Sequence, residues 1–149
     1  MTKAQLKEEL KQSMLAKNAE KTSTLRMIIS ALGYYEIEKG GAGYVATEED
    51  VETVLQKQAK QRRDSIEQFK AGGRDELAAK ETNELHLIQS YLPKQMSEEE
   101  VSRLVDEAIK QTDATNAADM GKVMGALMPK VKGKADGSLV SRVVKEKLQ

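Results

Sequence analysis

The chain has 149 residues, which fits one domain or a domain plus a small module. It has no cysteine and one histidine, which excludes disulfide scaffolds, cysteine zinc sites, iron–sulfur clusters, thiol nucleophiles and two-histidine relays. Charged residues make up 32% and aromatics 3%, a composition that points to an all-α soluble protein rather than a β-sandwich, and 24 Lys+Arg balance 24 Asp+Glu.

In chain order, Leu6, Leu10 and Met14 lie four apart and predict an inward stripe on a helix over residues 3–17. Asn18-Ala19-Glu20 is the break before a second helix over 21–39, carrying Leu25, Ile28, Ile29, Leu32 and Tyr35. Gly40-Gly41-Ala42-Gly43 stops it in a flexible loop. Thr47, followed by Glu48, Glu49 and Asp50, reads as a hydroxyl cap with acids over the first-turn dipole. The third helix then runs to Phe69. Its middle, Gln56 to Arg63, is almost wholly polar, so it either projects from the body or pairs across a narrow seam. Gly72-Gly73 ends it, and Asp75 to Leu92 forms a fourth helix with Leu77, Leu85, Ile88 and Leu92 inward. Pro93 stops that helix, because a proline pushes the residue before it out of the helical region.

The domain boundary is expected here. Pro93 to Met96 is a short link, and Ser97-Glu98-Glu99-Glu100 is a capping box opening a helix that buries Val101, Leu104, Val105, Ala108 and Ile109. Asp113 to Ala117 is a polar turn. A short helix over about 118–128 places Met120, Val123, Met124 and Leu127 inward, and Pro129 ends or kinks it. Lys130 to Ala135 is a basic loop. Asp136-Gly137-Ser138 caps a last helix with Leu139, Val140, Val143, Val144 and Leu148. The expected architecture is therefore all-α: a hairpin array or bundle of about four helices over 1–93, then a compact three-helix module over 97–149.

No apolar run reaches membrane-spanning length, and MTKAQLKEELKQSM has no apolar core of a secretory signal. These features predict a cytoplasmic protein with no membrane partner. His86 has no nucleophile at a recognisable spacing and reads as a helix-surface histidine. The acids at 48–50 and 98–100 are explained by helix starts. Asp113 to Asp119 lacks the ligand spacing and central glycine of a calcium loop, and Gly121-Lys122 and Gly133-Lys134 do not complete a phosphate-loop motif. No catalytic constellation, metal site or cofactor-binding pattern is present in the sequence.

Charge is unevenly placed. Residues 1–117 hold 17 Lys+Arg against 21 Asp+Glu, whereas 118–149 hold 7 against 3, a balance of +4. Such a tail suits an anionic partner or a solvated face. Gly121 and Gly125 lie on one helical face, and glycine inside a helix costs about 1 kcal/mol against alanine. Something is therefore expected to approach this backbone closely, either a neighbouring helix of the module or a phosphate backbone. Lys130, Lys132 and Lys134 follow on the next loop, whose main-chain N–H groups are expected to add phosphate donors. No aromatic follows Tyr91, so RNA contact here would read shape and backbone rather than stack bases.

The run ADMGKVMGALMPKVKGKADGSL, Ala118 to Leu139, resembles the signature of the GatB/YqeY tail domain. TLRMIISAL at Thr24 to Leu32, the series Lys57, Arg62 to Ile66, Phe69 and Gly73 to Leu77, and ELHLIQSYLPKQMSEEE at Glu84 to Glu100 are similar to the free-standing YqeY-like proteins over essentially the whole chain. The resemblance implies an all-α fold with a helical N-terminal domain and a three-helix tail. In the B subunit of the tRNA-dependent Asp/Glu amidotransferase, such a tail contacts the outer region of the tRNA. The resemblance thus implies a tRNA partner, with Lys122, Gly125, Lys130, Lys132, Gly133 and Lys134 as candidate RNA-binding residues. A translation-related protein partner, or a protein adaptor without RNA binding, is the alternative. The family also carries a label of carbon–nitrogen ligase activity with glutamine as amido-N-donor. This chain lacks the large N-terminal catalytic part of that subunit, so the activity is not expected of it alone.

Overall fold

The computed structural model describes residues 1–149 and is all-helical. Its seven α-helices are α1 (Lys3–Leu15), α2 (Ala19–Gly40), α3 (Glu48–Ala71), α4 (Asp75–Ser90), α5 (Glu98–Thr112), α6 (Met120–Val131) and α7 (Gly137–Lys147). A 3₁₀ turn, Ala117–Asp119, precedes α6. The starts follow local chemistry. Thr2, Thr47 and Ser97 each close a capping box, while Asn18 and Asp136 accept backbone N–H bonds through their side chains. No helix is long and apolar enough to cross a membrane.

The chain forms two compact units, Met1–Leu92 and Pro93–Gln149. In the first, α1 packs on α2, and α3 packs chiefly on α4. Leu6, Leu25, Ile28, Leu32, Leu55 and Ile88 form the centre of its core. In the second, α5, α6 and α7 enclose Val101, Val105, Val123, Leu127, Val140 and Val144.

Three helical registers differ from the apolar pattern. On α1 the inner position is Ser13, not Met14, which is exposed. The Ser13 hydroxyl donates to the Leu10 carbonyl at 2.8 Å and lies 2.9 Å from the Thr22 hydroxyl, so a small, satisfied polar pair lets α1 and α2 approach. On α4 the stripe is Ala78, Glu81, Leu85 and Ile88, continued just past the helix by Leu92, which leaves Leu77 exposed. The helical period places 78, 85 and 92 in line, and Leu77 falls about 100° from that line. In the second unit α6 continues through Pro129 to Val131. The proline removes only the bond to the Gly125 carbonyl, which faces solvent, and burial of Val131 keeps the last turn helical.

The polar middle of α3 pairs across a seam. Arg62, 8% exposed, lies 2.8 Å from Glu84 and 3.5 Å from Glu81 on α4, close as charges but poorly aligned as hydrogen bonds. Such a group is conditional on its partners, because removing one leaves a buried charge uncompensated.

The connection from α2 to α3 is anchored rather than loose. Gly41 and Gly43 take positive φ values of 73° and 96°, and Gly40 has no room for a Cβ against the Tyr44 ring. Buried Glu36 pairs with Lys3 and accepts the Ala46 N–H at 2.9 Å. Buried Asp50 pairs with Lys39 and accepts from the Tyr44 hydroxyl at 2.6 Å, the Tyr35 hydroxyl at 3.2 Å and the Thr47 N–H at 2.9 Å. The Lys39 bond, then Tyr44 and Thr47, hold the Asp50 carboxyl well below the usual carboxylate range, and the same pairing raises Lys39. A second tie joins α1, α2 and α4's end. Glu9 accepts from Lys21 at 2.7 Å and from the Tyr91 hydroxyl at 3.3 Å, and burial with the Glu9 charge pushes Tyr91 up to about 12.

Folding therefore favours the ionised form of Asp50. That contribution is present above the ordinary aspartate value of about 3.9 and disappears as the pH falls from about 5 towards the folded value. Urea denaturation midpoints should drop between pH 5 and pH 3. Asp50→Asn should be less stable at pH 7 and show a flatter dependence over that interval, the remainder coming from Glu36, Glu9, Glu100 and Asp119, whose carboxyls are also lowered by their hydrogen bonds.

Candidate nucleic-acid interface

The candidate residues lie on α6 and the turn after it. Met120, Val123, Met124, Leu127 and Val131 face the core, so the opposite side of α6 is fixed as the outer face. Gly121 and Gly125 are both there, with Met128 and Pro129 also exposed. A Cβ at either glycine would meet nothing within 4 Å. The neighbouring-helix explanation for this glycine pair is thereby removed: no helix of the module approaches it. Gly125 in particular sits in the helix interior, exposes backbone, and gains no internal packing in return.

Lys122 flanks the glycine face, about 60° around the axis from Gly125. Its side chain is 71% exposed and lies 3.4 Å from Asp119. Asp119 accepts the Thr115 N–H at 3.0 Å, and that bond, then Lys122, keeps its carboxyl below the ordinary range. Lys122 is therefore partly neutralised at rest, by a contact exposed enough to exchange for a phosphate at little cost.

Lys130 is placed differently from the loop position expected of it. It belongs to the last turn of α6, about 140° from Gly125, and points towards α5, where Glu107 lies 3.8 Å away. The basic segment proper is a tight turn. Lys132 has φ −56° and ψ 126°, Gly133 has φ 75°, and the Lys134 N–H donates to the Val131 carbonyl at 2.9 Å. This is a type II turn, and Gly133 supplies the left-handed residue it requires.

Three of the main-chain N–H groups expected as phosphate donors are already used within the protein. The N–H of Lys132 donates to Met128, and those of Lys134 and Ala135 donate to Val131. They are consumed in ending the helix. Gln95 and Met96 further occupy the turn: Gln95 Nε2 donates to the Gly133 carbonyl at 3.1 Å, and the Met96 N–H donates to the Lys134 carbonyl at 2.7 Å. Sequence reasoning missed this strap, since nothing in Pro93 to Met96 marks a long-range partner. What remains for an anion is the exposed lysine side chains and the open helical backbone at Gly121 and Gly125. His86 is exposed on α4, and no group of three or more His, Asp or Glu side chains could hold a metal ion.

Because Gly125 is open, Gly125→Ala should stabilise the protein by roughly 0.5–1 kcal/mol, through helix propensity alone. Urea unfolding of the purified variant checks this. A loss of stability would mean that the glycine serves internal packing after all.

Known proteins resemble the chain over most of its length. "Altered inheritance of mitochondria protein 41, mitochondrial" of Clavispora lusitaniae is 36% identical over 114 residues, covering 75% of this chain and 65% of that protein. The protein of the same name in Saccharomyces cerevisiae is 32% identical over 128 residues, covering 82% of this chain and 68% of its own length. That of Pyrenophora tritici-repentis is 31% identical over 145 residues, covering 95% and 77%. The chain thus spans about two thirds of the length of the first two relatives. Their names correct the cytoplasmic expectation, for these relatives are mitochondrial proteins. Composition misled here because a cysteine-free, charged surface suits any aqueous compartment that does not depend on disulfides. A family described as Yqey-like protein matches residues 3–148, and the chain belongs to this family.

Proposed function

We propose that the chain is a tRNA-associated accessory protein that grips the RNA backbone with its C-terminal unit. The observation that carries this reading is the open glycine face of α6. Two helix glycines stand where nothing in the C-terminal unit needs the space, beside Lys122 and ahead of the Lys132-Gly133-Lys134 turn. A sugar–phosphate backbone could lie on that face, with lysine ammonium groups on its phosphates and the helix backbone beneath its sugars. The absence of aromatics from this unit supports recognition of shape over sequence. Lys130, turned towards Glu107, contributes at the edge.

The resemblance to the amidotransferase tail suggests a link to glutamine-dependent amidation of charged tRNA. In this reading the chain holds or presents the RNA, and the carbon–nitrogen bond is made elsewhere. Purified protein given misacylated Glu-tRNA, glutamine and ATP should form no amide.

Binding of bulk tRNA should fall steeply with salt. Four lysine contacts give a log–log slope of about −3, and Lys122→Ala or Lys132→Ala should each reduce its magnitude by nearly one. Gly125→Ala should weaken binding about tenfold while the fold becomes more stable. Fluorescence anisotropy between 50 and 200 mM salt, values over which such slopes are well resolved at about these contact numbers, measures both. Unchanged binding in Gly125→Ala would remove the glycine face from the interface. No binding at low salt would reject RNA as the ligand.

A further inference from the structure

The elbow between α1 and α2 carries a second surface of different chemistry. Because Ser13 takes the inner position on α1, Met14 and Leu15 are turned outwards, 51% and 69% exposed, and Met27 on α2 is 42% exposed. Two hollows meet at Met14. One, of about 390 Å³, is lined by Leu10, Leu15, Lys7 and Lys11. The other, of about 520 Å³, is lined by Ala19, Met27, Lys17 and Arg26 among others. Together they form a groove with an apolar floor and a cationic rim. No carboxylate lines it.

The rim cations differ from the cations that tie the helices of this unit together. Lys3, Lys21, Lys39 and Arg62 are all in ion pairs. Lys7, Lys11, Lys17 and Arg26 have no carboxylate within salt-bridge distance, and Lys7 acts on Glu36 only at longer range. Lys17 is also held in the left-handed region at φ 54°, where a glycine or asparagine would be less strained. The turn keeps a cation at the lip of the groove at a conformational cost.

The floor decides between anionic partners. No aromatic lines the groove, so bases have nothing to stack on. The apolar residues form two small, shallow hollows on either side of Met14 with cations set between and around them, a spacing that suits discrete apolar anchors flanked by carboxylates better than a continuous lipid surface. Methionine adapts to varied side-chain shapes. We propose that this groove docks an amphipathic helix of a partner protein, which inserts two apolar anchors on either side of Met14 and sets Asp or Glu residues against Lys7, Lys11, Lys17 and Arg26.

The test uses the full chain with ¹³C-methyl methionine. The probe is a synthetic peptide of about 18 residues, long enough to hold a helix. It carries leucines at i, i+3, i+4 and i+7 with glutamates on both flanks. A scrambled peptide of the same composition, vesicles of phosphatidylcholine and phosphatidylglycerol, and bulk tRNA are run in parallel. The patterned peptide should shift the Met14 and Met27 methyl resonances. Its affinity should fall at least about tenfold in Leu15→Glu and in Lys11→Glu. Lys17→Gly, which relieves the left-handed strain and so protects the fold, should weaken it severalfold. The Lys130/Lys132/Lys134 triple alanine variant should bind it normally. Equal binding of the scrambled peptide, unmoved Met14 and Met27 methyls, or shifts produced only by vesicles or tRNA would each overturn the proposal.

Discussion

The constraint on which both surfaces depend is helical register. A turn of 3.6 residues separates neighbouring positions by about 100°, so one step decides whether a side chain enters the core or meets solvent. Ser13 inside places Met14 outside; Ala78 inside places Leu77 outside. Val123, Leu127 and Val131 inside place Gly121 and Gly125 on the open face. The chain has few large apolar groups with which to override these choices: one Phe, no Trp and a core built mainly of Val, Leu and Ala. Its surface features are consequences of what its cores select.

The two units close those cores by different means. The C-terminal unit does so almost wholly with aliphatic side chains, and its ion pairs lie on exposed positions where each contributes little. The N-terminal unit interleaves apolar packing with buried charge. Arg62, Glu84, Glu36 and Asp50 are all less than a tenth exposed. Each is matched to a specific partner, so these groups fix the pairing of helices as much as they stabilise it. Asp50 also joins both sides of one connection, since its partners Tyr35 and Lys39 belong to α2, Tyr44 to the loop and Thr47 to the start of α3.

Features governed by short-range chemistry were legible in the residues. The caps at Thr47, Ser97 and Asp136 depend on groups within three positions, and each forms where the pattern places it. The seven helices follow from those caps, the glycine breaks and the apolar spacing. Features governed by a distant partner were not legible. Ser13 is buried because Thr22 satisfies its hydroxyl, and no rule of spacing ranks a serine above a methionine. Pro129 was expected to end or kink α6; it does not end it, because Val131 has a core to enter. The lysine-rich segment read as an open loop with free amides. The amides of Lys132, Lys134 and Ala135 close a turn, and Gln95 and Met96 hold its carbonyls from 38 positions away. The glycine pair was legible as an anomaly, but only the structure shows that no part of the C-terminal unit fills the space.

The two surfaces differ in what they can recognise. Lys122 lies beside Asp119, on a helix face whose exposed backbone offers neither pocket nor ring. Such a face can discriminate charge density and groove shape, with little power to discriminate residues or bases. The surface at the α1–α2 elbow has two shallow apolar hollows and cations without internal partners, so it can discriminate the spacing of side chains. Salt should therefore act on the two unequally. Exposed lysine–phosphate contacts weaken with each released counterion. Docking at the groove retains the part that comes from burying Met14, Leu15 and Met27, which salt does not screen. A chain with both would be positioned by its helix partner at ionic strengths that loosen its hold on the nucleic acid. Such an order of release suits a protein that presents an RNA rather than one that stores it.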